Sequence, residues 1–380
     1  MNIKTLQIGK GWFPEEAGGL NRYYYNCIHA LPEAGVAVKG LVMGSSLVEK
    51  GSIGEVQTFA DRDASVFQRW QGIRQLTRSL LKEDNELLVV SHFALYTFPL
   101  LNQLRDRALV THFHGPWALE SQLERRKPLT NWAKKALEQL VYQKTVQFIV
   151  LSKTFCQILH KEYGISRERI HIIPGGVDVL RFDLPFSQEE AREKLGWERD
   201  RAILFCVRRL SKRMGLDNLI TAIAQVRHHY PEVLLYIAGK GELAASLQAQ
   251  IEALNLQDHV KLLGYISEEN LPLAYRAADL SVVPTVALEG FGLVVIESLA
   301  AGTPVLGTPI GGISEILQLF CPDLVLEGCQ AEQLAQGIEE ALGGQRRLPS
   351  HTACQSYIQK HYTWSAIAPQ IKAVYQMALK

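Results

Sequence analysis

Two carboxylates in an otherwise apolar run carry the first chemistry. The stretch LEGFGLVVIESLAAGTPV, residues 288–305, sets Glu289 before Gly290-Phe291-Gly292 and Glu297 after seven intervening residues. A strand ending near Pro284 predicts a helix from about Leu293 to Ala301, stopped by Gly302 and Pro304. The Gly-x-Gly turn then lies at the carboxyl edge of a sheet. Gly290 and Gly292 permit close backbone approach, and the unpaired N–H groups of the first turn, from Phe291 to Leu293, favour an anion such as a diphosphate. Glu297 falls one turn into the helix, among Val294, Val295, Ile296 and Leu299. A carboxylate buried there needs strong donors, and the two adjacent hydroxyls of a ribose are a suitable pair. Glu289, ahead of the glycines, would face whatever hangs beyond the phosphates. A lone Glu is more often solvated or paired internally; the combination with Gly-x-Gly and a helix start weakens that plainer reading.

Other residues could share this work, each beside a blander reading. Arg209, Lys212 and Arg213 in RRLSKRMG follow the strand AILFCV and could aim fixed positive charge at a leaving diphosphate; the alternative is a solvated basic turn. Gly18 and Gly19 follow the first strand and precede a helix near Leu20, as either a phosphate- or sugar-facing loop or a simple turn. His112 and His114 end a strand on one side and suggest a metal pair, but no third ligand has obvious spacing. Gly239 opens GKGELA, a loose dinucleotide fingerprint that lacks the acidic residue expected to end the next strand, since HVKLLGYIS closes on Gly264 and Tyr265. A dehydrogenase fails on that count. Asp61-Arg62-Asp63 sits in a polar turn and reads as solvated carboxylates rather than a metal-chelating Asp-x-Asp. No metal and no cofactor is expected.

The elements that must position these residues come from a regular alternation. β-rich runs such as KTLQIG, ELLVVSH, ALVTHFH, VQFIVLS, AILFCVRR, VLLYIAG and ADLSVVPT alternate with helical patterns, which predicts parallel sheets with crossover helices. With 380 residues, 47% hydrophobic and 21% charged, the chain suits two globular domains. We place them at 1–178 and 179–363, with a last helix over about 364–380 packing back on the first; Ser187 and Glu190 form a capping box that opens the second. The net charge of +1 gives no general reason to expect nucleic acid. The start lacks a signal-peptide core, no run reaches the length of a spanning helix, and six scattered cysteines form no C-x-x-C, which together predict a cytoplasmic protein with reduced thiols. Residues 124–140 interleave Arg125, Arg126, Lys127, Lys134 and Lys135 with Trp132, either a solvated face or a peripheral contact with the inner face of an anionic membrane.

EGFGLVVIE resembles the Glu, seven residues, Glu motif of retaining nucleotide-sugar glycosyltransferases of the GT-B type, family 4. AGGLNRYY, HFHGPW, VLSKTF, IIPGGVD, RRLSKRMGLDNLI, IAGKGE, LLGYIS and GTPVLGTPIGGISEIL follow the family's order over nearly the whole chain. The resemblance implies an α/β GT-B fold, two Rossmann-like doubly wound domains facing a central cleft. It implies transfer of a hexose from a nucleotide diphosphate to a hydroxyl acceptor, a glycan, lipid-linked or small molecule, with retention and without a metal. It assigns His114 to the transferred sugar and Arg209 to the leaving group. The family's next phosphate-binding Lys falls on Met214, so Lys212 or Arg213 would stand in for it. It places Gly239 on the nucleotide side and the backbone near Tyr265 and Ile266 at the base. Front-face attack is implied, with double displacement through Glu289 as the mechanistic alternative. A sugar-nucleotide-binding protein without catalysis is the alternative of another class.

Overall fold

In the computed structural model of this chain, residues 3–52, 55–123 and 128–380 are described. They divide into two compact units, residues 1–176 with 364–380 and residues 177–363. The first contains β1 (Ile3–Gly11), β2 (Val36–Met43), β3 (Val56–Ala60), β4 (Leu88–Ser91), β5 (Leu109–Phe113), β6 (Gln147–Val150) and β7 (Ile170–Ile172). These form one parallel sheet in the order β3-β2-β1-β4-β5-β6-β7. All four residues of β4, Leu-Val-Val-Ser, are buried, as expected for a strand covered on both faces. The crossover helices begin where the sequence offers caps: Ser65 with Gln68 makes a reciprocal capping box, and Ser152 accepts from Phe155 N–H.

The helix Trp364–Ala378 belongs to this first unit. Its buried Ile367, Ile371, Val374 and Tyr375 recur at helical spacing and join Ile3, Val36, Val90 and Val110 in one core cluster. Each such aliphatic side chain contributes about 1.5–3 kcal/mol when fully buried.

The second unit holds β8 (Ala202–Val207), β9 (Val233–Ala238), β10 (Val260–Gly264), β11 (Leu280–Val283) and β12 (Val305–Gly307) in the parallel order β10-β9-β8-β11-β12. The Ser187–Glu190 capping box opens its first long helix. In each sheet the strand order reverses once, between β1 and β4 and between β8 and β11. Doubly wound sheets bind ligands beyond the carboxyl ends of the strands at such points, so the loops after these four strands are where chemistry is to be sought.

Candidate active-site residues

At the second unit's reversal point, β8 ends at Val207 and delivers Arg208 directly to the sheet edge. Its Nη2 donates to Thr285 Oγ1 and to Glu289 Oε2, both at 2.7 Å. The two charged side chains are only 8% and 12% exposed. Burial at this level strengthens the pair, because little water competes for either charge. Glu289 is therefore oriented by an Arg that the sequence reading passed over in favour of its neighbour. Arg209 is exposed, and among the described residues its side chain has no hydrogen-bond or ion-pair partner. Lys212 is also exposed, whereas Arg213 Nη1 donates to Leu288 O at 3.0 Å. Met214, where the resemblance places a Lys, is 5% exposed and packs inward.

The loop carrying Glu289 is held by backbone contacts that only glycine allows. A Cβ on Gly311 would lie 2.0 Å from Glu289 O, and one on Gly312 would lie 2.4 Å from Phe291 Cα. Gly312 N–H donates to Glu289 O at 3.1 Å, fixing that close approach. Gly292, at φ 92°, turns the chain into the helix Leu293–Ala300 as its N-cap. Gly290 is half-buried and Phe291 buried, and no side chain caps this helix start. Its first N–H groups thus stay available to an anion. One turn on, Glu297 is 5% exposed and accepts from Tyr275 Oη at 3.2 Å. Beside these loops, Gly239 follows β9 with its backbone against Arg208 O, while Tyr265, after β10, is half exposed with Lys240 Nζ 5.5 Å from its ring and Ile266 half-buried next to it.

At the first unit's reversal point, the loop after β1 carries Gly18 and Gly19 at the start of the helix Gly19–Ala30, again without a side-chain cap. Strand β4 delivers His92 and β5 delivers His114, both one residue past their strands. With His112 they make a group whose ligating atoms lie within 4.8 Å of one another, so the third histidine absent from the sequence reading exists in space. The rings are stacked, with interplanar angles of 23°, 18° and 22°. His92 Nδ1 faces His114 Nε2 at 3.0 Å, a hydrogen-bond separation. Both ring nitrogens of His92 and of His112 are also committed, to His114 and Gln7 and to Tyr23 and Tyr375. The donor set fits a hydrogen-bonded chain better than a metal centre. Burial pushes the imidazoles of His92 and His112 well below their usual range and that of His114 down to about 3, so all three are neutral at pH 7.

The backbone after His114 is anchored by a residue that carries no signal in the sequence. Glu138, 1% exposed, accepts from the N–H groups of Trp117 at 2.9 Å and Ala118 at 3.3 Å, and from Tyr163 Oη at 2.8 Å. Burial raises its carboxyl to about 7 against these donors. The basic stretch 124–140 is only partly described, since Arg125, Arg126 and Lys127 lie outside the described residues. Of the rest, Lys134 turns to Ser121 Oγ and the Trp117 ring, Lys135 to Glu162, and Trp132 is 74% exposed. Among the described residues, no helix is long and apolar enough to cross a membrane. The six cysteines are free.

Two family models match in tandem: "Glycosyltransferase Family 4" over residues 17–181 and "Glycosyl transferases group 1" over residues 187–361. Among curated relatives, an uncharacterized glycosyltransferase of Methanocaldococcus jannaschii is 28% identical over 250 residues, 64% of this chain and 63% of that protein. The mannosylfructose-phosphate synthase of Agrobacterium fabrum is 28% identical over 303 residues, 72% of this chain and 64% of that one. The chain thus spans somewhat under two thirds of the length of these relatives. Among solved structures, Anabaena Alr3699/HepE in complex with UDP and glucose superposes with a TM-score of 0.80 at 20% identity, covering 99% of this chain and 100% of that one. With two doubly wound parallel sheets, tandem family matches over both and relatives named as glycosyltransferases, the chain belongs to glycosyltransferase family 4 and has the GT-B fold.

Proposed function

We propose that the protein is a retaining, metal-independent glycosyltransferase that moves a hexose from a nucleoside diphosphate to a hydroxyl acceptor. The observation that carries this reading is the β8–β11 edge. It combines an exposed Arg209, an Arg208–Glu289 pair, an uncapped glycine-opened helix start and a buried Glu297 in one small region. A nucleoside diphosphate sugar matches that set group by group. The helix start and Arg209 suit the diphosphate, with Lys212 or Arg213 as second cation; Glu297 suits the ribose hydroxyls; Glu289, oriented by Arg208, suits the sugar hydroxyls. A solved structure of the same fold contains UDP and glucose, which supports a donor of this class.

In this reading, breaking the anomeric C–O bond leaves positive charge on the sugar and negative charge on the diphosphate. Fixed cations and the helix dipole stabilise the latter without reorganisation, in the role a metal would otherwise fill. His114 serves the transferred sugar. The acceptor hydroxyl attacks from the face that the diphosphate leaves, and its proton passes to the departing phosphate oxygen, which retains the configuration. Double displacement through Glu289 would need its carboxylate as nucleophile, and that carboxylate is already engaged by Arg208 Nη2.

Hydrolysis of UDP-, GDP- and ADP-linked hexoses, with and without EDTA, tests the proposal when the released sugar's initial anomer is read by proton NMR. Turnover of one donor, insensitive to EDTA and with retention, is expected. Donor binding without any turnover, with or without acceptor sugars, would favour a sugar-nucleotide-binding protein.

A further inference from the structure

The buried polar chain behind His114 has a proton arrangement that can be read from one end. Thr5 Oγ1 donates its only proton to the backbone carbonyl of Ala37 at 3.1 Å. Toward Gln7, 3.1 Å away, it can therefore only accept, which fixes the Gln7 amide with its NH2 on Thr5 and Tyr375 and its Oε1 on His92. Gln7 Oε1, an acceptor, requires N–H at His92 Nε2, 2.9 Å away. In a neutral imidazole the other nitrogen is then a lone pair, so His92 Nδ1 accepts. Its partner at 3.0 Å, His114 Nε2, must donate. His114 Nδ1 is left as the lone pair. The second branch closes consistently: Tyr375 Oη accepts from Gln7 and donates to His112 Nε2 at 2.8 Å, and His112 Nδ1–H donates to Tyr23 Oη at 3.1 Å.

We propose that Thr5, Gln7 and His92 form a buried relay that locks His114 in its Nε2–H tautomer, so that it meets the transferred sugar with Nδ1 as a hydrogen-bond acceptor for a sugar hydroxyl. His92 and Gln7 are positioning residues in this account. Thr5 and Gln7 are fully buried and His92 is 2% exposed, so no water supplies an alternative donor or acceptor to scramble the order. The consequence is a specificity rule. A donor sugar presenting a hydroxyl at that position is held, and its deoxy or O-methyl analogue leaves an unpaired acceptor, a mismatch that sites of this kind reject strongly. The relay stands on the geometry alone; its role at the sugar rests on the functional reading above.

The test uses the full-length protein with 15N-labelled histidine and long-range proton–nitrogen correlation at pH 7. Wild type is expected to show His114 protonated at Nε2 and bare at Nδ1, with His92 protonated at Nε2. In His92→Phe the tautomer of His114 should become mixed, and kcat for the UDP-, GDP- or ADP-hexose that turns over should fall at least tenfold, with binding of the matching nucleoside diphosphate unchanged. His92→Asn, whose amide oxygen replaces the Nδ1 acceptor, should restore the tautomer and most of kcat. A proton on His114 Nδ1 in wild type overturns the relay, and that spectrum is decisive even if His92→Phe does not fold. The expected tautomer together with full activity in His92→Phe overturns the role at the sugar while leaving the relay in place.

Discussion

Arg208 and Glu289 meet at 2.7 Å across the strand reversal of the second unit, with both side chains nearly out of solvent. Eighty-one residues separate them in sequence, and the turn that carries Glu289 reaches Arg208 because Gly311 and Gly312 let the following loop pack on its backbone. The pair is thus a structural latch and, in the functional reading, the means of aiming a carboxylate at a sugar.

Removing one partner should strand the other. Arg208→Ala leaves the nearly buried Glu289 carboxylate without its arginine and is expected to cost about 3 kcal/mol in urea unfolding. The double variant Arg208→Met with Glu289→Gln should be less destabilised than the sum of the singles. Additive losses in that cycle would show that the pair is not coupled.

Arg209 should behave in the opposite way. Its side chain is exposed and makes no hydrogen bond or ion pair among the described residues, so Arg209→Ala should leave stability within about 0.5 kcal/mol of wild type. Donor hydrolysis should nevertheless drop about a hundredfold or more, the scale of losing one fixed donor to a developing charge. Unchanged turnover would remove Arg209 from the leaving-group site.

Gly312→Ala tests the loop geometry without touching any charged group. The added methyl would sit 2.4 Å from Phe291 Cα and 2.5 Å from Phe291 O, so backbone must move. Weaker nucleoside diphosphate binding and a lower Tm are expected, and calorimetry that finds wild-type affinity would mean that the Phe291 backbone does not contact the diphosphate.

The first unit should show a pH dependence with two opposing parts. His92, His112 and His114 have folded pKa values below the unfolded value, so below about pH 6.5 the unfolded chain binds protons that the folded chain does not. Stability is lost as pH falls, by up to ~1.4 kcal/mol per pH unit for each histidine. Glu138 has a raised folded pKa, about 7, so its contribution is present below about pH 4.5 and is lost as pH rises toward 7. Three groups outweigh one, and these four together make stability rise between pH 5 and 6.5. Glu138→Gln removes the opposing part and should steepen that rise in urea titrations; a slope identical to wild type would contradict the assignment.

Much of this architecture was legible in the chain. Parallel strands announced themselves as short β-branched runs between helical patterns, and Ser187 with Glu190 and Gly292 with Leu293 marked helix starts where the structure has them. What the sequence concealed is what spacing cannot encode. His92 lies 22 residues from His114 and Gln7 lies 85 residues from His92, and only the parallel pairing of β1, β4 and β5 brings the three together. His92 did carry one signal, a polar residue one place past a buried strand, the same position as His114. Arg208 was overshadowed by Arg209 because motif matching selects a column, while the strand's end decides which of two neighbouring arginines turns inward. Glu138 gave no signal at all, since a Glu in a basic amphipathic helix reads as solvated.

The central claim is that the β8–β11 edge grips a nucleoside diphosphate, with Glu297 on the ribose. Titration calorimetry with UDP, GDP and ADP, each against wild type and Glu297→Gln, addresses it most directly, with the 2′,3′-dideoxy form of whichever nucleotide binds as control. The account predicts that one nucleotide binds, that Glu297→Gln weakens it at least tenfold, and that loss of the two ribose hydroxyls weakens wild type by a similar factor but the variant hardly at all. Equal sensitivity of both proteins to the dideoxy ribose, or no binding of any of the three nucleotides, would contradict it.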